Sequence, residues 1–186
     1  MMKQYRNRRA AIGLLAAMAM TALSACASVA ADRPEPDSKL SAPVTIFLVR
    51  HAEKQGGDDP ALTEGGAIRA EALSALLRDA NVAHIHSSDY RRTRDTAAPL
   101  ADRLGLAVRL YDPRDLPGMA ERLLASEGTH LVVGHSNTTP QLTELLGGEG
   151  GTPIVEATEY DRLYLVRRAP DGSISTVLLR YGAPTG

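Results

Sequence analysis

The stretch Val44-Thr45-Ile46-Phe47-Leu48-Val49-Arg50-His51-Ala52-Glu53-Lys54 decides the fold. Its first half is rich in β-branched and large apolar residues, and it stops abruptly at an arginine and a histidine. A run of this kind, without polar alternation, is the pattern of a strand buried on both faces, as in a parallel sheet. In open parallel sheets ligands bind beyond the carboxyl ends of the strands. Arg50 and His51 therefore stand where such a fold places its chemistry.

Outward from this strand, short apolar runs alternate with helical spacing. Residues 65–79 read as a helix, with Ile68, Ala72 and Leu76 on one stripe and Leu73 and Leu77 beside it. Val82 to His86 is a second strand, residues 91–104 a second helix and Ala107 to Leu110 a third strand. Residues 116–126 form a short helix, and His130 to Gly134 a fourth strand. Thr139-Pro140 reads as an N-cap followed by proline at the first helical position, opening a helix that ends at Gly147-Gly148. Arg162 to Arg168 and Ile174 to Arg180 are strands joined by Pro170-Asp171-Gly172, a hairpin signal. The expected fold class is α/β: a three-layer α/β/α sandwich with a mostly parallel, mixed sheet.

Two further polar motifs follow strands. Ser87-Ser88-Asp89-Tyr90-Arg91-Arg92-Thr93 comes after the second and Gly134-His135-Ser136-Asn137-Thr138 after the fourth. If these strands are parallel, their carboxyl ends share one edge and the motifs converge. Two arginines and two histidines make a poor core and a good anion pocket. A phosphoryl group carries about −1.5 to −2 charges near neutral pH. The planar guanidinium fork matches its oxygens.

Arg50-His51-Ala52-Glu53 resembles the Arg-His-Gly motif of the histidine phosphatase superfamily, with Ala52 in the glycine place. The run from Ser87 to Ala97 is similar to that family's second motif, with Arg92 at the phosphate-binding arginine. Gly134-His135 looks like its second-histidine motif, and Leu62-Thr63-Glu64-Gly65-Gly66 like its Leu-Thr-x-x-Gly segment. The resemblance covers roughly residues 44–181 and implies a phosphoglycerate mutase-like fold. It implies His51 as the nucleophile, forming a phosphohistidine. It also implies that Arg50, Arg92 and His135 hold the phosphoryl oxygens and supply positive charge, without a metal or cofactor. Asn137 is placed with the binding residues; the alternative for it and Thr138 is to cap the helix that follows. Ser136 follows His135, where some relatives carry an aspartate, so the proton donor is sought elsewhere. Asp115 is the first candidate, then Asp112, then Glu53. The implied activity is a phosphatase acting on a phosphomonoester or phosphoramidate, of a small molecule or a phosphoprotein. The alternatives are a non-catalytic phospho-ligand-binding lipoprotein and a phosphoglycerate mutase-type phosphotransferase.

The N-terminus sets the address. Residues 1–25 carry Lys3, Arg6, Arg8 and Arg9, then an apolar run from Ala10 to Ala22, and read as a signal peptide. Leu23-Ser24-Ala25-Cys26 resembles the bacterial lipobox, which implies cleavage before Cys26 and lipid attachment to it. The alternative is a soluble secreted form cut after Ala30. Residues 26–42 are a lipid-bearing tether rich in proline and charge, and residues 43–186 the folded domain. The expected location is the periplasm or cell envelope. The whole chain has 21 basic and 22 acidic residues, so without the four basic ones of residues 1–25 it has 17 against 22. That acidic balance sets nucleic acid aside as a partner. Cys26 is the only cysteine, which excludes an internal disulfide. His84 and His86 face one side of a strand, more plausibly as ordinary strand residues than as a metal pair. His130 is expected at the surface, and Asp161 and Arg162 as a surface pair.

Overall fold

The computed structural model describes residues 42–185. The calls on the signal peptide, on Cys26 and on nearly all of the tether lie outside them. Ten elements alternate in the expected order. The strands are β1 (Val44–Arg50), β2 (Val82–Ser88), β3 (Val108–Tyr111), β4 (Gly128–Gly134), β5 (Arg162–Arg168) and β6 (Ile174–Arg180). The helices are α1 (Glu64–Leu77), α2 (Arg91–Leu104), α3 (Leu116–Leu124) and α4 (Thr138–Leu145).

One six-stranded sheet runs β3-β2-β4-β1-β5-β6. β1, β2, β3 and β4 are mutually parallel, and β5 is antiparallel to β1 and to β6. Two apolar layers cover it. On one face Phe47, Val49, Ile85, Leu131 and Leu163 pack under α1 and α2, which contribute Leu73, Leu77, Ala97 and Leu100. On the other, Ile46, Leu48, Val132 and Tyr164 pack under α3 and α4, which contribute Met119, Leu123, Leu142 and Leu146. The α/β sandwich is as expected. Among the described residues no helix is long and apolar enough to cross a membrane.

Three local expectations are corrected. α1 is rotated from its expected stripe: Ile68 and Leu76 are 66% and 52% exposed, while Gly66, Arg69, Ala70, Leu73 and Leu77 are buried. Two polar contacts set that rotation. A methyl group on Gly66 would overlap the Glu53 carbonyl, so the helix backbone lies directly against the loop after β1. Arg69, only 3% exposed, clamps the Glu53 carboxylate and also donates to the carbonyls of Tyr181 and Ala183. Next, α4 starts two residues early, because Thr138 and Thr139 are occupied otherwise. The Thr138 hydroxyl accepts from the His135 N–H, and the Thr139 hydroxyl donates to the Val49 carbonyl, so Pro140 falls inside the first turn. Finally, β4 begins at Gly128, which draws His130 into the sheet, where it is buried.

Candidate active site

The four parallel strands end at Arg50, Ser88, Tyr111 and Gly134. Register aligns those ends, pairing Arg50 with Gly134 and Ser88 with Tyr111. The ladder continues one bond past β1, since the His51 N–H donates to the Gly134 carbonyl at 2.9 Å. The two motif histidines are thereby stitched side by side, with ring centroids 5.6 Å apart at a steep angle. Both line a cavity of about 480 Å³ with Arg92, Tyr90, Asn137 and Glu156.

Backbone contacts assign the His51 tautomer. Nδ1 lies 2.8 Å from the Ala52 carbonyl, which can only accept, so Nδ1 carries the hydrogen. The Nε2 lone pair is then the nucleophilic one. Ala52 is itself fixed, donating its N–H to the Thr96 hydroxyl at 3.0 Å. Burial, with smaller contributions from Arg50, Arg92 and His135, pushes the His51 pKa down to about 3, against a partly opposing bond to Ala52. The ring is neutral at any physiological pH, as attack on phosphorus requires.

His135 is held by a chain of hydroxyls. Its Nε2 lies 2.9 Å from the Ser88 hydroxyl, which donates to that of Thr93, which donates on to the Ser88 carbonyl. Arg92 Nη2 approaches His135 Nδ1 at 3.4 Å, so Nδ1 accepts and Nε2 donates. Burial first, then Arg92 and Arg50, lowers its pKa to about 4. His135 is thus neutral in the fold, and the fixed positive charge beside it is that of Arg92 and Arg50. Arg92 sits 4.5 Å over the Tyr90 ring and leaves its buried Nε without a partner.

Arg50 departs from the expected role. It is 1% exposed and does not line the cavity. Its Nη2 donates to the Glu156 carbonyl at 2.6 Å, and its Nη1 to those of Glu159 and Val155 at 2.9 and 3.4 Å. Tyr160 stacks 4.1 Å beneath it. The guanidinium thus pins the turn 155–159, because that turn presents three carbonyls to it, and only Nε is left over. Its charge still bears on both histidines.

The expected acids are not brought in. Asp115 caps α3, accepting from the Gly118 N–H at 3.0 Å, with Arg122 at 3.6 Å, and it does not line the cavity. Asp112 is held bidentately by Arg114, and Glu53 by Arg69. Among the described residues lining the cavity, the only carboxylate is Glu156. Sequence reading placed this residue no nearer than a loop, because it follows no periodicity and its position depends on Arg50. Asn137 lines the cavity and makes no side-chain cap bond. Asp161 and Arg162 are neither in the cavity nor at the surface: they are buried beside Glu159, in an ion-pair cluster that the exposed Arg180 closes from outside. Among the described residues no group of three or more acidic, histidine or cysteine side chains converges to hold a metal.

Residues 46–122 match the family described as histidine phosphatase superfamily, branch 1, a span containing Arg50, His51 and Arg92. Over 77 residues the chain is 42% identical to a protein of Erwinia tasmaniensis named "Probable phosphoglycerate mutase GpmB", covering 37% of this chain and 35% of that one. The same-named protein of Yersinia pestis is 39% identical over 77 residues. The chain spans about a third of the length of these curated relatives (35%). Two solved structures share the fold. A mycobacterial glucosyl-3-phosphoglycerate phosphatase, Rv2419c, has a TM-score of 0.58 at 21% identity, covering 76% of this chain and all of its own (100%). The protein histidine phosphatase SixA, solved with tungstate, has a TM-score of 0.61 at 18% identity, covering 73% and 96%. His135 lies beyond the matched span, yet the parallel register of β1 and β4 sets it beside His51. Over residues 46–122, which contain Arg50, His51 and Arg92, the chain is similar to the histidine phosphatase superfamily.

Proposed function

We propose that this chain is a phosphatase that hydrolyses a phosphomonoester or phosphoramidate through a phosphohistidine on His51. The observation that carries the reading is a neutral His51, its Nδ1 tied to a carbonyl, facing Arg92 and His135 across one cavity. The phosphoryl group of the substrate, a small molecule or a phosphoprotein, enters between them. The Nε2 lone pair forms the bond to phosphorus as the bond to the leaving oxygen breaks. Arg92 and the His135 region hold the equatorial oxygens, where charge is spread in the transition state. Glu156 gives its proton to the leaving oxygen, then takes one from the water that attacks the phosphohistidine. Arg50 is a positioning residue: it holds the turn that carries Glu156. The name of the SixA structure, solved with an oxyanion, supports an anion in this cavity.

The mutase reading has one specific support, the name of the curated relatives. A mutase would return the phosphoryl group to a bound product, whereas a phosphatase gives it to water. Residues 1–25 and Cys26 support an exported, lipid-anchored form in the periplasm or envelope, held to the membrane through Cys26.

The test is a panel of phosphomonoesters and phosphoramidates assayed for phosphate release with the purified protein and its His51→Ala variant. Release by the first and not by the second is the expected result. Interconversion of phosphoglycerates without release would favour the mutase, and ligand binding with neither reaction would favour a binding protein. Mass spectrometry of the N-terminal peptide made in cells tests for lipid on Cys26.

A further inference from the structure

The α3-facing side of the sheet is apolar except near its β3 edge. There His84 and His86 of β2 and His130 of β4 meet, with centroids 4.7 Å apart for His84–His130 and 5.4 Å for His86–His130. They line a cavity of about 490 Å³ bounded by α3 and flanked by Arg109 of β3 and Arg122 of α3. This cavity shares no lining residue with the one at His51.

Proton positions follow from the acceptor-only carbonyl of Glu127. It lies 3.1 Å from His130 Nε2, which therefore carries a hydrogen. Nδ1 of the neutral His130 ring then accepts from His86 Nε2, 3.1 Å away. His86 Nδ1 is left with a lone pair, and His84 Nδ1 is buried with no partner. A buried polar atom without a partner calls for an explanation. A metal does not supply one, since His86 and His130 direct nitrogens at each other and no ligating group of three converges among the described residues. Charge points elsewhere. Arg109 makes no ion pair among the described residues, and Arg122 has Asp115 at 3.6 Å and Met119 Sδ at 4.0 Å. Among the described residues lining the cavity, the only carboxylate, Asp112, is held by Arg114.

We propose that this cavity is a second oxyanion site, taking a phosphate group, free or carried on a small molecule, between Arg109 and Arg122 with His84 and His86 as its inner wall. The guanidinium forks match tetrahedral oxygens. An anion set beside the buried, neutral His86 ring favours its charged form, so binding draws a proton from solvent onto His86.

The test is a titration of the purified protein with inorganic phosphate, ionic strength held constant with chloride, following the ring resonances of the five histidines by NMR. The signals of His84, His86 and His130 are expected to shift saturably, and that of His86 to titrate at higher pH when phosphate is present. Arg109→Ala combined with Arg122→Ala abolishes those shifts and leaves the responses of His51 and His135. Should the double variant not fold, Arg109→Gln alone, on the exposed edge strand, gives a reduced response. Glycerol phosphate, titrated into the His51→Ala variant so that no free phosphate is released, separates the sources: saturation by both compounds assigns the site to a phosphate group on any carrier, and saturation by phosphate alone assigns it to the free ion. The proposal is overturned if the three signals move no more with either compound than with chloride, or move equally in the arginine variants.

Discussion

His51 and His135 sit just beyond the ends of β1 and β4, whereas His84, His86 and His130 sit within β2 and β4, under α3. Both groups are imidazoles beside arginines, and burial pushes the pKa of His51 and His135 in the first, and of His86 and His130 in the second, below the usual value. They differ in what holds them. At the strand ends the ring partners are a backbone carbonyl, a serine hydroxyl and Arg92, and His51 Nε2 is left for chemistry. Inside the sheet the rings bond mainly to one another and to the Ser126–Glu127 turn. A strand end supplies loop and helix-start groups that aim a side chain outward. A mid-strand position supplies only the neighbouring strand and the covering helix.

Variants that separate the two regions sharpen this contrast. Glu156→Gln has the largest expected effect of the five considered, a loss of about 10²–10⁴ in kcat on alkyl phosphates. The loss is much smaller on p-nitrophenyl phosphate, whose leaving group needs no proton; equal losses on both would remove Glu156 from the acid role. Next, His135→Ala lowers kcat/KM by about 10²–10³, because Arg92, a transition-state donor, loses the ring nitrogen that aligns it. His130→Ala, by contrast, leaves kcat/KM intact and destabilises the fold by about 1–3 kcal/mol, because His86 loses its partner. Steady-state kinetics and urea unfolding on the same two proteins decide this, and a matching activity loss for His130→Ala would erase the distinction.

Smaller effects probe the scaffold and the acid response. Gly66→Ala forces α1 off the loop after β1 and is expected to destabilise by about 1–3 kcal/mol in urea unfolding. The buried histidines also make stability depend on pH. His51 titrates at about 3, and His86 and His135 at about 4, in the fold, against 6.5 in the unfolded chain. Between those values the unfolded chain binds more protons, so the stability these groups contribute is full above pH 6.5 and is lost as pH falls toward 4 and 3. His86→Gln should flatten that decline without altering turnover; an unchanged slope would mean that His86 is not neutral in the fold.

The strand ends were legible in the sequence because a buried parallel strand announces itself by an apolar run, and the residue after it is then located. That logic reached His51, Arg92 and His135, and the order of all ten elements. It failed where position depends on contacts distant in sequence. The rotation of α1 is set by Glu53 and by carbonyls at 181 and 183, not by its own apolar spacing. Glu156 and the distal atoms of Arg50 meet across a separation of 106 residues, in a turn with no periodic signal. Asp115 looked like an acid after the third strand, but an aspartate before a helix with proline in its first turn also caps it, and here it does. Ala52 in the glycine place proved compatible with a site in which its carbonyl aligns His51.

The most direct test is to quench the reaction under alkaline conditions, where phosphohistidine survives, and map the phosphoryl group by mass spectrometry and NMR. The account predicts phosphate on Nε2 of His51, absent from His51→Ala. A phosphoryl group on Nδ1, on His135 or on any other residue would contradict it.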